Sequence, residues 1–578
     1  MNPDWLPKSV LELRNYDRHK FLSDAIAGLT VGLVALPLAL AFAISSGVPP
    51  QAGIYCAVVA GFLISALGGS KTQIGGPTGA FVVVVAGIVA KHGIEGLYMC
   101  TLLAGLMLLL LGITGLGTAV KFIPRPVVIG FTNGIAVLIA STQIKDFLGL
   151  DIEKVPGEFV GRMEAIVANI RTISPIEAGV AALALLLILL WNRHIKRVPG
   201  MIVALFVGTA ATALLHLPLE TVGTRFGGIP SGLPTLHLPQ FRADLILPLI
   251  SPAITVAMLG AIESLMSAVV SDRMSGDRHN PNVELAAQGI ANVVSPLFGG
   301  LPATGAIART ATNIKSGAKT PVAGMMHAVV LLAVLLFAAP LARFVPLPVL
   351  AAILMVVAYN MGEWSEIPQI LKMGWMEATV WLITFALTVL ADLTVAVEAG
   401  MVLAVLMFIR KVTATTTVSE ITDEDVEDGR IHILQDKDIP AYVSVFRIHG
   451  PFLFGATEKI DEITNRLDDL SPIVILRLRN MTALDATGLH ALATLADTIH
   501  QSGRDLILCG ARPQPAKLMR DAEFEQHVGK ENMCDNISVA LERARYLYAA
   551  QRRRKKKQQA AAAAATATAV SREGAAEK

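Results

Sequence analysis

Residues 299–321 read GGLPATGAIARTATNIKSGAKTP, a polar stretch set deep in a hydrophobic chain. Its apolar part, residues 303–314, rises only ~18 Å at ~1.5 Å per residue, well short of the ~30 Å hydrocarbon core of a bilayer. It opens on two glycines and a proline and carries one arginine, Arg309. Lipid offers backbone polar groups no water, so an interrupted helix at that depth must line a cavity enclosed by protein. The stretch alone fits either one wall of an anion site or a cytoplasmic re-entrant loop without a ligand. The rest of the chain is membrane-like: 53% of its 578 residues are apolar and 16% charged. That excludes an ordinary soluble globular protein and predicts a polytopic membrane protein in a lipid bilayer. A net charge of +2 supplies no global field for nucleic acid.

Apolar segments are expected at about 24–46, 50–68, 78–90, 97–118, 126–148, 174–192, 200–216, 246–270, 283–298, 303–314, 321–341, 348–361, 375–391 and 395–410. Of these fourteen, the third and the tenth are short, and they hold the same place in an internal repeat. Gly75-Gly76-Pro77-Thr78-Gly79-Ala80 is echoed by residues 299–306, and KFIPRPV at 121–127 by RFVPLPV at 343–349. Both echoes run in one order at one offset of about 225 residues, which predicts two halves of seven segments, about 22–217 and 245–412. An odd number of crossings inverts the second half. The expected fold is an all-α membrane domain with a 7+7 inverted repeat and two half-helices.

Lys and Arg set the orientation. With residues 1–21 as a cytoplasmic tail, about 17 basic residues fall inside, among them Lys71, Lys121, Arg125, Lys196 and Arg197, against about 8 outside. Both termini are then expected on the cytoplasmic side of a multi-pass membrane protein. The N-terminus is charged and lacks a short apolar region with a cleavage site, so a cleaved signal peptide is not expected. Residues 413–429 form a polar, acidic linker. Residues 430–550 alternate β-rich runs (443–448, 473–478, 506–509) with helical patterns (456–469, 487–501, 513–522, 536–549), which predicts a sheet covered by helices. Residues 551–578 are expected as a disordered basic and Ala-rich tail. The four cysteines show neither disulfide nor metal-ligand spacing, so no metal and no cofactor is expected.

A half-helix that starts at mid-membrane aims unsatisfied N–H groups and a partial positive charge from its N-terminus. Two such termini meeting from opposite sides make an anion pocket without a lysine. The donors would lie around Thr78, Gly79 and Ala80 and around Gly305, Ala306 and Ile307. Alternatively the glycines serve only close helix packing. Arg309 costs at least ~2.5–3.5 kcal/mol at membrane depth, so it should face a cavity or a partner. It would neutralise a substrate, pair with Glu263 or cap carbonyls. Glu263, midway through the eighth segment, carries the same cost and is the candidate proton-coupling acid, with a permanently protonated packing group as the alternative. It stands as far before Gly305 as Pro37 stands before Gly79, which places both beside the half-helices. Phe42, one turn past Pro37, would be an apolar wall or face lipid. Thr487 opens a helix in the soluble domain, where a hydroxyl caps the helix or accepts a phosphate.

The stretches GLTVGLVALPLALAFAISSGVPPQAGIY, GAIESLMSAVVSDRMSG and QGIANVVSPLFGGLPATGAIARTATNIKSGAKTPVAG together resemble the SulP sulfate-permease family, and the C-terminal domain resembles a STAS domain. The resemblance covers about residues 15–548. It implies a homodimeric secondary anion transporter with core and gate subdomains that works by an elevator-like movement, its substrate held between the third and tenth segments. It implies no enzyme activity. Phe42, Arg309 and Glu263 match family positions for an aromatic, the arginine and the acid. Leu38 departs from the glutamine of animal members, and Ala308 stands where several members have serine. The sodium-coupled bicarbonate branch has Asp at the Glu263 position, so glutamate looks more like the proton-coupled branch. The expected function is therefore uptake of a small inorganic or carboxylate anion, sulfate or a C4-dicarboxylate before bicarbonate, driven by a proton gradient. A sodium-coupled bicarbonate transporter and an uncoupled exchanger or channel are the alternatives. A cytoplasmic protein partner of the STAS domain is a further expectation, with Thr487 as its regulatory phosphoacceptor.

Overall fold

A computed structural model describes residues 5–14, 16–117, 124–152, 155–195, 199–230, 232–236, 242–391, 393–421 and 439–576. Residues 121–123 of the second echo, the basic pair at 196–197 and residues 422–429 of the linker lie outside these residues. The chain divides into two compact units, Met1–Ala404 and Val405–Lys578.

The first unit opens with a short helix, α1 (Lys8–Leu13), followed by α2 (Arg18–Ser45), α3 (Pro50–Leu67), a two-residue strand β1 (Gly75–Gly76), α4 (Gly79–Ile113) and α5 (Arg125–Leu148). Next come α6 (Phe159–Ala168), α7 (Pro175–His194), α8 (Gly200–Leu215) and α9 (Val222–Phe226). The second half runs α10 (Ile246–Ser275), α11 (Pro281–Val294), β2 (Thr304–Gly305), α12 (Ile307–Lys315), α13 (Val322–Phe337), α14 (Ala339–Ala342), α15 (Leu347–Met361), α16 (Ile367–Met373), α17 (Trp375–Leu390) and α18 (Leu393–Thr415). Every expected segment is helical. The third and fourth join in α4, which turns at Gly93, where φ is 72° and ψ −174°. Only glycine takes such a backbone freely. Among the described residues seven helices are long and apolar enough to cross a membrane by length and composition, and Gly200–Leu215, Val322–Phe337 and Trp375–Leu390 are apolar but shorter. Proline opens α3, α7 and α11, where its missing N–H would have had no partner.

Two bundles form. One packs α2, α3, α4, α10, α11, α12 and α13 together; the other packs α5, α7, α8, α15 and α17. Glycines let the backbones touch within each. A Cβ on Gly289 of α11 would lie 2.5 Å from the Leu109 nitrogen of α4, and one on Gly130 of α5 would lie 2.6 Å from the Trp381 carbonyl oxygen of α17. This use of glycine is the packing alternative named above, and it holds for the bundle seams.

The second unit is a sheet of β3 (Thr417–Glu420), β4 (Val443–Phe452), β5 (Ile473–Arg477), β6 (Met481–Leu484), β7 (Asp505–Cys509) and β8 (Met533–Cys534). Its order is β3-β4-β5-β7-β8, with β6 on β4, and all pairs are parallel except β3–β4. Side chains alternate between two apolar layers. Leu506 and Leu508 join the layer of the helix Ala486–Gln501, whereas Ile507 and Cys509 meet Ile537, Ala540 and Leu541 of the last helix. The last helix spans Ile537–Ala576, so it continues through the stretch expected as a disordered tail. Ala, Arg, Lys and Gln are the strongest helix formers, and local propensity carries the helix where no core does.

Candidate functional site

The two half-helices meet tip to tip. β1 and β2 pair antiparallel, Gly75 opposite Gly305 and Gly76 opposite Thr304, and the Ala306 N–H donates to the Ile74 carbonyl at 2.8 Å. From this crossing the first arm of α4, Gly79 to His92, rises only ~20 Å. α12 has nine residues and ends at Lys315. Each arm leaves its first N–H groups without an intrahelical acceptor.

A polar stripe on α10 holds the crossing in place. Ser264, Ser267 and Ser271 recur every three to four residues and so share one face of a helix. Ser264 shares a hydrogen bond with Thr304 (2.7 Å), Ser267 with Thr310 (2.9 Å) and Ser271 with Thr72 (2.8 Å). The Gly305 N–H donates to the Ser264 hydroxyl at 3.1 Å, and the Gln73 amide to the Ser264 carbonyl at 3.1 Å. Behind α12, Asn313 donates to the Thr72 carbonyl at 2.9 Å. Asn292 of α11 brackets Ala303, accepting from its N–H and donating to its carbonyl, both at 2.8 Å. Each bond satisfies a backbone or hydroxyl group that would otherwise be buried bare. Apart from Gly305, none of these residues was expected at the site from the sequence. The one signal for them was the serine spacing on α10.

The expected site residues converge here. The Thr78 hydroxyl, at the residue before α4, donates to Glu263 at 3.0 Å. Arg309 is 3% exposed and reaches back across the crossing to donate through Nη2 to the Pro77 carbonyl. Its Nη1 is buried with no hydrogen-bond partner among the described residues, and a Cβ on Gly76 would lie 3.0 Å from it. Among the described residues Arg309 and Glu263 form no ion pair, so of the three roles considered for the arginine the carbonyl cap is the one the geometry shows. Ile307 and Ala308 expose the first turn of α12, while Ala80 and Ala306 are buried. Phe42 is 4% exposed. A Cβ on Gly79 would lie 3.4 Å from its ring, 3.3 Å from the Met361 sulfur and 3.1 Å from Ile139. Phe42 therefore packs on the tip of α4 where the two bundles face each other, rather than toward lipid. Gly305 has no room for a side chain, since a Cβ would fall 1.8 Å from the Gln73 amide nitrogen.

Thr487 lies in the other unit and is not a cap. Asp485 takes that role, accepting from the Gly488 N–H at 2.7 Å and the Phe454 N–H at 3.0 Å. A carboxylate two residues earlier reaches the free N–H groups first, which leaves Thr487 exposed in the first turn.

Interrupted helices in matching places of two halves, joined at their tips inside a helical bundle, are the arrangement in which membrane transporters build a substrate site. Residues 21–384 match the sulfate permease family, and residues 434–540 match the STAS domain. The chain is 40% identical over 527 residues to YvdB of Bacillus subtilis, provisionally named a sulfate transporter, covering 90% of this chain and 98% of YvdB. It is 32% identical over 535 residues to the bicarbonate transporter BicA of Synechocystis, covering 90% and 94%. Its structure matches the transmembrane domain of a cyanobacterial BicA with a TM-score of 0.60 at 34% identity, over 68% of this chain and 98% of that one. It matches SLC26A9 with a TM-score of 0.82 at 18% identity, over 94% and 93%, a likeness of fold alone. The chain belongs to the sulfate permease family of membrane anion transporters and carries a C-terminal STAS domain.

Proposed function

We propose that the protein takes up a small anion, sulfate or a C4-dicarboxylate before bicarbonate, together with protons. The observation that carries this is the Nη1 donor of Arg309, buried without a partner at the point where two half-helix tips converge. A buried cationic donor left bare is costly, and a bound anion would complete it. The free N–H groups around Thr78–Ala80 and Gly305–Ala308 would supply the remaining contacts, with Phe42 as an apolar wall.

Coupling follows from Glu263. Its hydrogen bond to Thr78 puts a carboxylate beside the tip that would hold the substrate. Two negative charges there repel in a medium of low dielectric constant, and a proton on Glu263 removes the repulsion. Proton and anion would then load together. The bundle that holds both tips would carry them past the α5–α8–α15–α17 bundle, an elevator movement, in a homodimer in a bacterial inner membrane with both termini cytoplasmic. The test is uptake of labelled sulfate, fumarate and bicarbonate by purified protein in liposomes, with a proton or a sodium gradient. Glu263→Gln should abolish uptake driven by a pH gradient while leaving anion exchange measurable; unchanged pH-driven accumulation would sink the coupling role.

Sodium-coupled bicarbonate transport is the second reading, favoured by the likeness to BicA and by the Thr78 hydroxyl bonded to Glu263. Accumulation that follows a sodium gradient and ignores pH would select it.

A further inference from the structure

β7 and β8 are parallel neighbours, and their register sets Cys509 directly opposite Cys534. Alternation along the strands puts both on one face: Cys509 and Cys534 pack in the layer of Ile537 and Ala540, while Leu508 and Met533 join the opposite layer. Both thiols are free. Neighbouring strands lie about 4.8 Å apart, within the Cα separation of about 4.4–6.8 Å that a disulfide spans. β8 is two residues long and lies at the edge of the sheet, so it can shift by the fraction of an ångström that a bond would need. The two positions differ in access. Cys509 is buried, and Cys534 is partly exposed. Nothing in anion transport uses either thiol.

We propose that Cys509 and Cys534 form a reversible dithiol–disulfide site, oxidised by a low-molecular-weight disulfide. The Cys534 thiolate attacks one sulfur of the small disulfide, whose S–S bond breaks and releases one small thiol. Cys509 then gives up its proton and attacks the Cys534 sulfur, forming the protein disulfide and displacing the second small thiol. The protein loses two electrons and two protons, and the small disulfide gains both. Cys534 reacts first because it is reachable. Burial pushes the Cys509 thiol up to about 12 and raises Cys534 less, with Arg477 beside the one and Arg543 beside the other opposing the rise. In a reducing compartment the pair rests as thiols and closes only under oxidative load. The bond would tie the edge strand, and the root of the last helix three residues later, to the central sheet.

The test uses full-length protein in detergent micelles, exposed to glutathione disulfide, alkylated under native conditions, denatured, alkylated again with a second mass label and digested. The expected result is a peptide pair joined through Cys509 and Cys534, carrying neither label and released by reductant. Cys534→Ser should leave Cys509 a free thiol under the same treatment, while Cys509→Ser should stop at a glutathione adduct on Cys534. A wild-type protein that stops at the Cys534 adduct, or whose two thiols stay reduced in the folded state and take the second label, overturns the proposal.

Discussion

Gly305 shows how one atom secures the site. A methyl group there would force the Gln73 amide off the Ser264 carbonyl and into a region where the other end of that amide already lacks a partner. Gly305→Ala should therefore cost about 1–3 kcal/mol, the range for leaving a buried polar group unsatisfied. Thermal unfolding in micelles would show it, and adding Gln73→Ala should recover part of the loss. Arg309 separates charge from geometry. Arg309→Lys keeps a cation but lacks the planar fork that reaches Pro77 while presenting a second donor. It should weaken apparent anion affinity at least as much as it lowers maximal uptake; an unchanged half-saturation would remove Arg309 from the site. Glu263 and Arg309 were legible in the sequence because a charge at membrane depth is costly, whereas Phe42 was named there with lipid as an equal alternative, since its position one turn past a proline does not say which way it faces. Ser264, Ser267, Thr310 and Gln73 were not legible. A small polar residue in an apolar helix bonds locally as readily as at long range, so its type alone does not reveal a partner.

At the scale of elements, the bundles themselves were legible and the link between the half-helices was not. Long apolar runs announce helices, but β1 and β2 are two residues each and carry no periodicity. One hydrogen bond joins the bundles away from the site: Gln143 of α5 donates to the Ser45 hydroxyl at the last residue of α2, at 3.0 Å. It lies at the end of α2 opposite α1. Gln143→Leu should release that end and raise the labelling rate of a cysteine placed at Ser46 severalfold, whereas equal labelling would show that the bond does not hold the bundles closed. α1 is fastened at the other end, where Lys8 meets Asp277 at 2.7 Å and Glu12 meets Lys71 at 3.0 Å. Burial is the largest single influence and would raise the Asp277 carboxyl, but the hydrogen bonds from Lys8 and the Arg278 backbone, with the charges of Lys8 and Lys71, together outweigh it and hold the group below the usual carboxylate range. A depressed carboxylate contributes stability above its unfolded pKa and loses it as pH falls through the folded one. The protection factors of the amides in residues 8–13 should fall on acidification below about pH 4, and Lys8→Ala should lower them already at neutral pH.

For the whole molecule, the unit Met1–Ala404 contains every residue proposed for the anion and the proton. A chain ending at Thr415 should therefore keep gradient-driven uptake if it inserts; abolished uptake by correctly inserted protein would move part of the transport machinery into the STAS domain. The crossing of β1 and β2 has a consequence for how such a carrier weighs its cargo. The half-helix tips are bonded to each other and to α10, so they do not part to let an anion through. In the proposed elevator movement they would travel as one piece. Contacts made within the moving bundle would then be the same whichever compartment the site faces, and the intrinsic dissociation constants measured from the two sides should agree to the extent that those contacts hold the anion. Such a carrier would take its direction from the ion gradients rather than from a change in its own grip.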